Sequence, residues 1–334
     1  MNRPPTNRLG SSSVAVTELG FGGAGVGNLF HAVGDEQAAQ TIAAAVQGGV
    51  GYFDTAPHYG LGLSERRFGA ALAGHPDVVI STKVGRRLVD DPAGAGTSDL
   101  ANGFDVPATY QRVWDFSADG IRRSLDDSLG RLGRDRLEIA LIHDPDESPE
   151  PEAALTEAYP ALARLRGQGL IGAIGVGSKD LTTLARFAAD TDIDVVMVAG
   201  RYTLLEQPAL DVVLPACQRR GISVLVAGVF NSGLLAVETP DETRTYEYAA
   251  VPADVLARAR AVAAVCGRHG VALPRAALAF AAAHPSVASV VIGADHPDQV
   301  RNNAARHAAP LPPADLWAEL VAEGLLRADA PVPG

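Results

Sequence analysis

The chain is poor in sulfur and in aromatic rings, and it has no long apolar run. Its 334 residues include two cysteines, Cys217 and Cys266, both in helix-like segments without metal-ligand spacing. Neither a disulfide framework nor a cysteine-based metal site is therefore expected, and both read as core filler in a reducing compartment. No apolar stretch approaches the ~18 residues of a membrane span, and Met1 to Gly10 carries two arginines with no apolar segment behind them. A formal charge of -11 comes without a run of lysine or arginine, so the basic footprint of a nucleic-acid binder is missing. These absences exclude membrane and nucleic acid as partners. They leave a cytoplasmic protein, monomer or homo-oligomer, acting on a small molecule.

What is present is a large core, with 47% hydrophobic residues, and a regular alternation of short apolar runs with amphipathic segments. Ser13 to Leu19 alternates as an edge hairpin strand, and Leu19 to Gly23 opens the core. Asp35 can cap a helix to Gln47, which Gly48 and Gly49 end. Val50 to Phe53 is a strand, followed by a helix from Ser64 to Ala73. Val78 to Thr82 is a strand ending at Lys83, then a long Gly-, Pro- and Asp-rich loop runs to Trp114. Helix Ser117 to Leu132, strand Leu137 to Ile142, helix Pro151 to Gln168, strand Ile171 to Val176, helix Asp180 to Ala189, strand Val195 to Val198, helix Pro208 to Arg220 and strand Ile222 to Val226 continue the series. After a second long loop come helices Pro252 to His269 and Pro274 to Ala283, strand Val287 to Ile292 and helix Pro297 to Arg306. Eight such strands, apolar on both faces, predict one α/β domain over 1–334, a (β/α)8 TIM barrel. Its additions are an N-terminal hairpin (1–18), long loops over the mouth (85–116 and 228–252) and a C-terminal helix and tail (313–334). That last helix, Ala314 to Leu326, could lean across the barrel with Trp317 as its anchor.

In such a barrel, chemistry sits at the carboxyl ends of the strands. Three consecutive strands end in ionisable groups, Asp54, Lys83 and His143, and Tyr59 follows the first of them. Singly each has an ordinary explanation: helix cap, solvated strand end, structural histidine, packed aromatic. At matching topological positions they form a proton-handling set, with an ammonium beside a phenol expected to lower its pKa. A rival signal is Gly20-Phe-Gly-Gly-Ala-Gly25, which matches the dinucleotide fingerprint, but no helix opens at Gly25. Lys83 alone could form a Schiff base, although Asp54 and His143 would keep it charged. A metal site would need clustered ligands, and only His58 and His143 are at hand, so none is expected.

The run Gly51-Tyr-Phe-Asp-Thr-Ala56 with Tyr59-Gly60 and Ser64-Glu65, then Thr82-Lys83 and Leu141-Ile-His143, resembles the aldo-keto reductases through nearly the whole chain. The resemblance implies that Asp54, Tyr59, Lys83 and His143 form the catalytic tetrad of a nicotinamide-dependent oxidoreductase, with Tyr59 as proton donor or acceptor. It also places the dinucleotide across the barrel mouth. Candidate contacts are Ser178, then Gly228, Phe230, Asn231, Ser232, Gly233 and Leu235 after strand seven. After strand eight they are Gly293, Ala294, His296, Gln299, Asn302 and Asn303. The chain departs from the wider pattern at Ala199, Ala227 and Gly177-Ser178, where the family usually has Gln, a stacking aromatic and Ser-Asn.

A 2′-phosphate needs Arg or Lys. Gly293, His296 and Gln299 stand at positions where phosphate-binding relatives often carry a base, so NAD is expected over NADP. Ala199-Gly-Arg-Tyr-Thr-Leu-Leu205 and Phe230-Asn-Ser-Gly-Leu-Leu235 resemble a narrower branch, the aldose 1-dehydrogenases and the related pyridoxal 4-dehydrogenase. That branch implies oxidation of a cyclic hemiacetal to a lactone. Trp114, Phe30 and Arg201 are the substrate-facing candidates. The alternatives are an NADPH-dependent aldehyde reductase and a non-enzymatic nicotinamide-binding redox sensor.

Overall fold

The computed structural model describes residues 5–334. Eight parallel strands close into a barrel: β1 (Leu19–Gly22), β2 (Tyr52–Asp54), β3 (Val79–Val84), β4 (Leu137–His143), β5 (Ile171–Ser178), β6 (Val195–Ala199), β7 (Ser223–Ala227) and β8 (Val287–Gly293). Each pairs with its neighbours in sequence, and β8 returns to β1 with Gly293 opposite Gly22. Around them lie α1 (Asp35–Gln47), α2 (Leu63–Leu72), α3 (Ala118–Leu132), α4 (Tyr159–Gly167), α5 (Leu181–Asp190), α6 (Val213–Arg220), α7 (Ala253–Arg268), α8 (Leu273–Ala282), α9 (Pro297–Ala308) and α10 (Ala314–Ala322).

The strand period of two divides each strand between two cores. Phe53, Ile80, Ala140 and Ile142 face the helices, where Phe21, Phe53 and Phe68 meet with ring centroids 5.6 to 6.0 Å apart. Tyr52, Ile139 and Leu141 face the barrel axis and form a second core with Leu9, Val14 and Val16 of an N-terminal hairpin. That hairpin pairs Thr6–Arg8 with Ala15–Thr17, so the floor of the barrel is plugged by apolar side chains. Residues 1–4 of the expected 1–18 hairpin lie outside the described residues. The same alternation puts Asp54, Lys83 and His143 at inward positions, two residues above Tyr52, Ser81 and Leu141.

Several local expectations are corrected. Gly34, not Asp35, caps α1, and Asp35 instead pairs with Arg67 at 2.6 Å. Gly62 caps α2, while Ser64 is buried and donates to the Gly23 carbonyl at 2.8 Å. The helix expected from Pro151 to Gln168 contains a π-turn at Ala154–Ala158, just before Pro160, which has no N–H for the preceding turn. The segment 85–116 is no irregular loop: Arg86–Asp90 pairs antiparallel with Tyr110–Trp114, Arg86 opposite Trp114. Only its second strand alternates half-buried and exposed residues, while the first runs from buried Arg86 to exposed Asp90, so the pair gives no shared periodic signal. A two-residue hairpin, Thr245–Tyr246 with Ala249–Ala250, lies within 228–252. The C-terminal helix α10 does not cross the barrel; it packs on α7, with Trp317 buried against Phe280 in the outer core. No described helix is long and apolar enough to cross a membrane.

Candidate active site

Asp54 and Lys83 end adjacent strands on the inner face, and their side chains meet at 2.7 Å while both are almost fully buried. Lys83 also donates to the Thr55 carbonyl at 2.9 Å, and Ser81 donates to the other oxygen of Asp54 at 2.6 Å. Every polar atom of this pair is thus directed, as buried charge requires. Burial works against the Lys83 charge, but Asp54 and Tyr59 hold its pKa above the ordinary lysine range. A neutral amine for Schiff-base chemistry is therefore not available there. Behind it Thr82, pointing outward, donates to Glu65 at 2.6 Å, and Arg131 donates to the same buried carboxylate at 2.6 Å. One strand thus serves both sides: Lys83 faces the chamber and Thr82 locks the strand to α2.

Tyr59 reaches the chamber from the β2–α2 loop. Gly60, at φ 61°, turns the chain directly after it so tightly that a Cβ there would lie 2.2 Å from the Gly27 carbonyl oxygen. Only glycine permits that approach. The hairpin of 85–116 braces the loop from the other side: Arg112, paired with buried Asp99 at 2.6 Å, donates to the His58 carbonyl at 2.9 Å. Phe104 and Val106 pack with Leu61 and Tyr59. The Lys83 ammonium stands 4.7 Å from the Tyr59 ring centroid, and the His143 ring is 5.9 Å from it. The four sequence-predicted residues are therefore brought together. The phenol, however, is not made more acidic: burial outweighs Lys83 and pushes its pKa up to about 12. His143 is held well below the ordinary histidine range by burial and by Arg86, Lys83, His58 and Arg112. It is a neutral ring beside a neutral phenol.

Of the remaining candidates, Ser178 ends β5 with its hydroxyl donating to Asp146 at 2.5 Å. Gly228, Asn231, Ser232 and Gly233 all adopt positive φ in the turn after β7, and Phe230 is half-buried beside them. Leu235 is different, because its side chain is wholly buried in the outer core. After β8, Gly293 is open to the mouth, Ala294 is buried, His296 caps α9 and Gln299 accepts from the Asp295 amide at 3.0 Å. Asn302 and Asn303 diverge. Asn303 is buried and accepts from Arg306 at 3.3 Å, whereas Asn302 lines a surface cavity of about 560 Å³ with Ala272 and Arg275, away from the mouth. Adjacent helix positions point about 100° apart, which gives the two side chains different surroundings. Phe30 touches Tyr248 at 5.8 Å between centroids, and Arg201 donates to Glu247 at 2.8 Å.

Sequence reasoning missed a second set. Glu247 is held by both Arg201 and Lys179, and Tyr248 lies on Phe30, so the loop after β7 spans the mouth. Arg86 and Asp144 were also missed, although each follows a strand end already singled out. Among the described residues, no three His, Cys, Asp or Glu side chains converge as metal ligands.

Comparison with known proteins agrees with this geometry. The sequence pattern of the Aldo/keto reductase family matches residues 18–320. This chain belongs to that family. Such reductases are nicotinamide-dependent oxidoreductases. The chain is 45% identical to a D-threo-aldose 1-dehydrogenase of a Pseudomonas species, over 95% of this chain and 96% of the other. It is 34% identical to a pyridoxal 4-dehydrogenase of Microbacterium luteolum, over 95% and 97%. An aldo-keto reductase of Bacillus halodurans, in its holo form, superposes with a TM-score of 0.77 at 25% identity, covering 98% of each chain. The strand ends of this family member carry small residues on one side of the mouth. Gly177, Ala199, Gly200, Ala227, Gly228 and Gly293 leave a floor of backbone from β5 to β8, and a Cβ on Gly228 would come within 3.2 Å of the Gly200 nitrogen. The buried Oδ1 of Asn231 also lacks a protein donor.

Proposed function

We propose that this enzyme oxidises the C1 hydroxyl of a cyclic aldose, of the L-fucose, D-arabinose or L-galactose type, to the lactone with NAD. The observation that carries the reading is the buried Asp54–Lys83 pair beside Tyr59, whose ring meets the edge of a neutral His143. The 45% identity to an aldose 1-dehydrogenase supports the substrate class. Bound nicotinamide supplies the two-electron acceptor. Tyr59 takes the proton of the C1 hydroxyl, which is more acidic in a hemiacetal than in an ordinary alcohol. Lys83 stabilises the phenolate form of Tyr59 that accepts this proton and becomes the neutral phenol, Asp54 keeps Lys83 charged and in place, and His143 orients the reacting oxygen. Ser178 and the turn Gly228 to Gly233, with Gly293, Ala294, His296 and Gln299, would hold the dinucleotide. No lysine or arginine stands at those positions for a 2′-phosphate, which favours NAD.

A second reading, reduction of simple aldehydes, draws on one observation: a phenol with pKa near 12 is an acid in waiting at neutral pH. Absorbance of the reduced nicotinamide separates the two. With NAD, L-fucose, D-arabinose or L-galactose should raise it, NADP should work less efficiently, and Tyr59→Phe should lose ~10²-fold or more. Consumption of NADPH by simple aldehydes with no signal from any sugar would establish the reductase instead.

A further inference from the structure

Beside the reacting groups lies a built polar cluster that the tetrad does not use. Asp144 follows His143, and its backbone sits at φ 39°, ψ 57°, in the left-handed region that a non-glycine residue adopts only when its surroundings hold it there. Its amide donates to the Gly177 carbonyl at 2.8 Å, which fixes this geometry. Asparagine and aspartate often accept such a conformation in order to cap a helix, but here the carboxylate makes no cap bond to the short turn it precedes. It is turned toward the chamber instead. Its Oδ2 lies 3.3 Å from His143 Nε2 and accepts from Arg86 at 2.7 Å. Arg86 also binds Glu147 at 2.9 Å and stacks over the Trp114 ring at 4.6 Å, so the carboxylate has a rigid backing. No protein donor reaches Oδ1 among the described residues, and the side chain remains 25% exposed.

A carboxylate fixed by arginine beside an aromatic face is an acceptor for sugar hydroxyls. The reacting oxygen must lie against His143 Nε2. The hydroxyl on the neighbouring ring carbon is then about one hydrogen-bond length further on, where Asp144 stands. We propose that Asp144 is specificity-determining, its free Oδ1 accepting the hydrogen bond of the hydroxyl next to the reacting carbon, with Arg86 and Trp114 as its support. The enzyme thereby selects 2-hydroxy aldoses over 2-deoxy sugars. This rests on the aldose reading above.

The test compares D-arabinose with 2-deoxy-D-ribose, the same pentose without its 2-hydroxyl, in the wild type, Asp144→Asn and Asp144→Gly. Both substitutions suit a left-handed backbone. A bond to a charged acceptor predicts a wild-type preference in kcat/KM of roughly 10- to 100-fold for D-arabinose. The preference should shrink in Asp144→Asn and fall to about threefold or less in Asp144→Gly. A wild type indifferent to the 2-hydroxyl, or a preference that survives both substitutions, overturns the assignment. So does a proportional loss with both sugars, which would mark a merely structural role. If no aldose is turned over at all, the aldose reading fails and this inference fails with it.

Discussion

Tyr59 is held as a neutral phenol by burial, even with an ammonium over its ring. The sign of the consequence follows directly. Below a pKa of about 12 the base form is the minor one and grows tenfold per pH unit. Oxidation kcat/KM should therefore climb by about tenfold per unit between pH 7 and 10, while reduction, which uses the phenol as an acid, should stay level. A rate profile that levels off below pH 8 would show that the bound substrates lower the phenol far more than the protein raises it. Asp144 adds a second, separable limb. Burial, with Glu147 and Asp146, pushes its carboxyl up to about 6 against the pull of Arg86 and Lys83, with the neutral His143 ring alongside. It accepts hydrogen bonds fully only when ionised, so preference for a 2-hydroxyl should fade as pH falls below about 6. Measured in the wild type, that fade should vanish in Asp144→Asn. His143, neutral throughout, contributes no limb of its own.

At the scale of elements, the inserted hairpin is a brace for the Tyr59 loop. Arg112 joins buried Asp99 to the His58 carbonyl, 54 positions away in sequence. Arg112→Ala removes the brace and leaves Asp99 buried without its cation, which costs about 3 to 5 kcal/mol. Denaturation should register that loss, and kcat should fall more than KM rises, because the misplaced group acts on the proton and not on binding. A variant with reduced stability and unaltered kcat would refute the bracing role. The contrast between what is legible in the sequence and what is not follows the same lines. Strand ends are local: the apolar run, its period of two and the ionisable residue that closes it are adjacent, so Asp54, Lys83 and His143 can be read directly, and the barrel with them. Arg86, Asp144 and Glu247 take their charged partners from 46 to 68 positions away, across loops without period.

The whole molecule divides its labour along the barrel axis. The upper end carries every proton-handling group, and the lower end is closed by Leu9, Val14 and Val16 on the inward side chains of the strands. Conservation of fold and exercise of function are thus separable by position, as is general for this architecture. Each of the three plug residues is almost fully buried, so their burial together is worth about 5 to 9 kcal/mol as an upper bound. That is comparable to the ~5 to 15 kcal/mol of a whole domain, so removing the hairpin outright should prevent folding. The sharper experiment is a single truncation. Leu9→Ala should lower unfolding free energy by about 2 to 5 kcal/mol through the cavity it leaves. KM for the aldose should stay within about twofold, since the inward side chains of Ile139, level with Ser81, and of Leu141, level with Lys83, stand between the plug and the reacting groups. A large rise in KM at a temperature where the variant is still folded would show that the floor is coupled to the mouth, and that the barrel does not act as two independent ends.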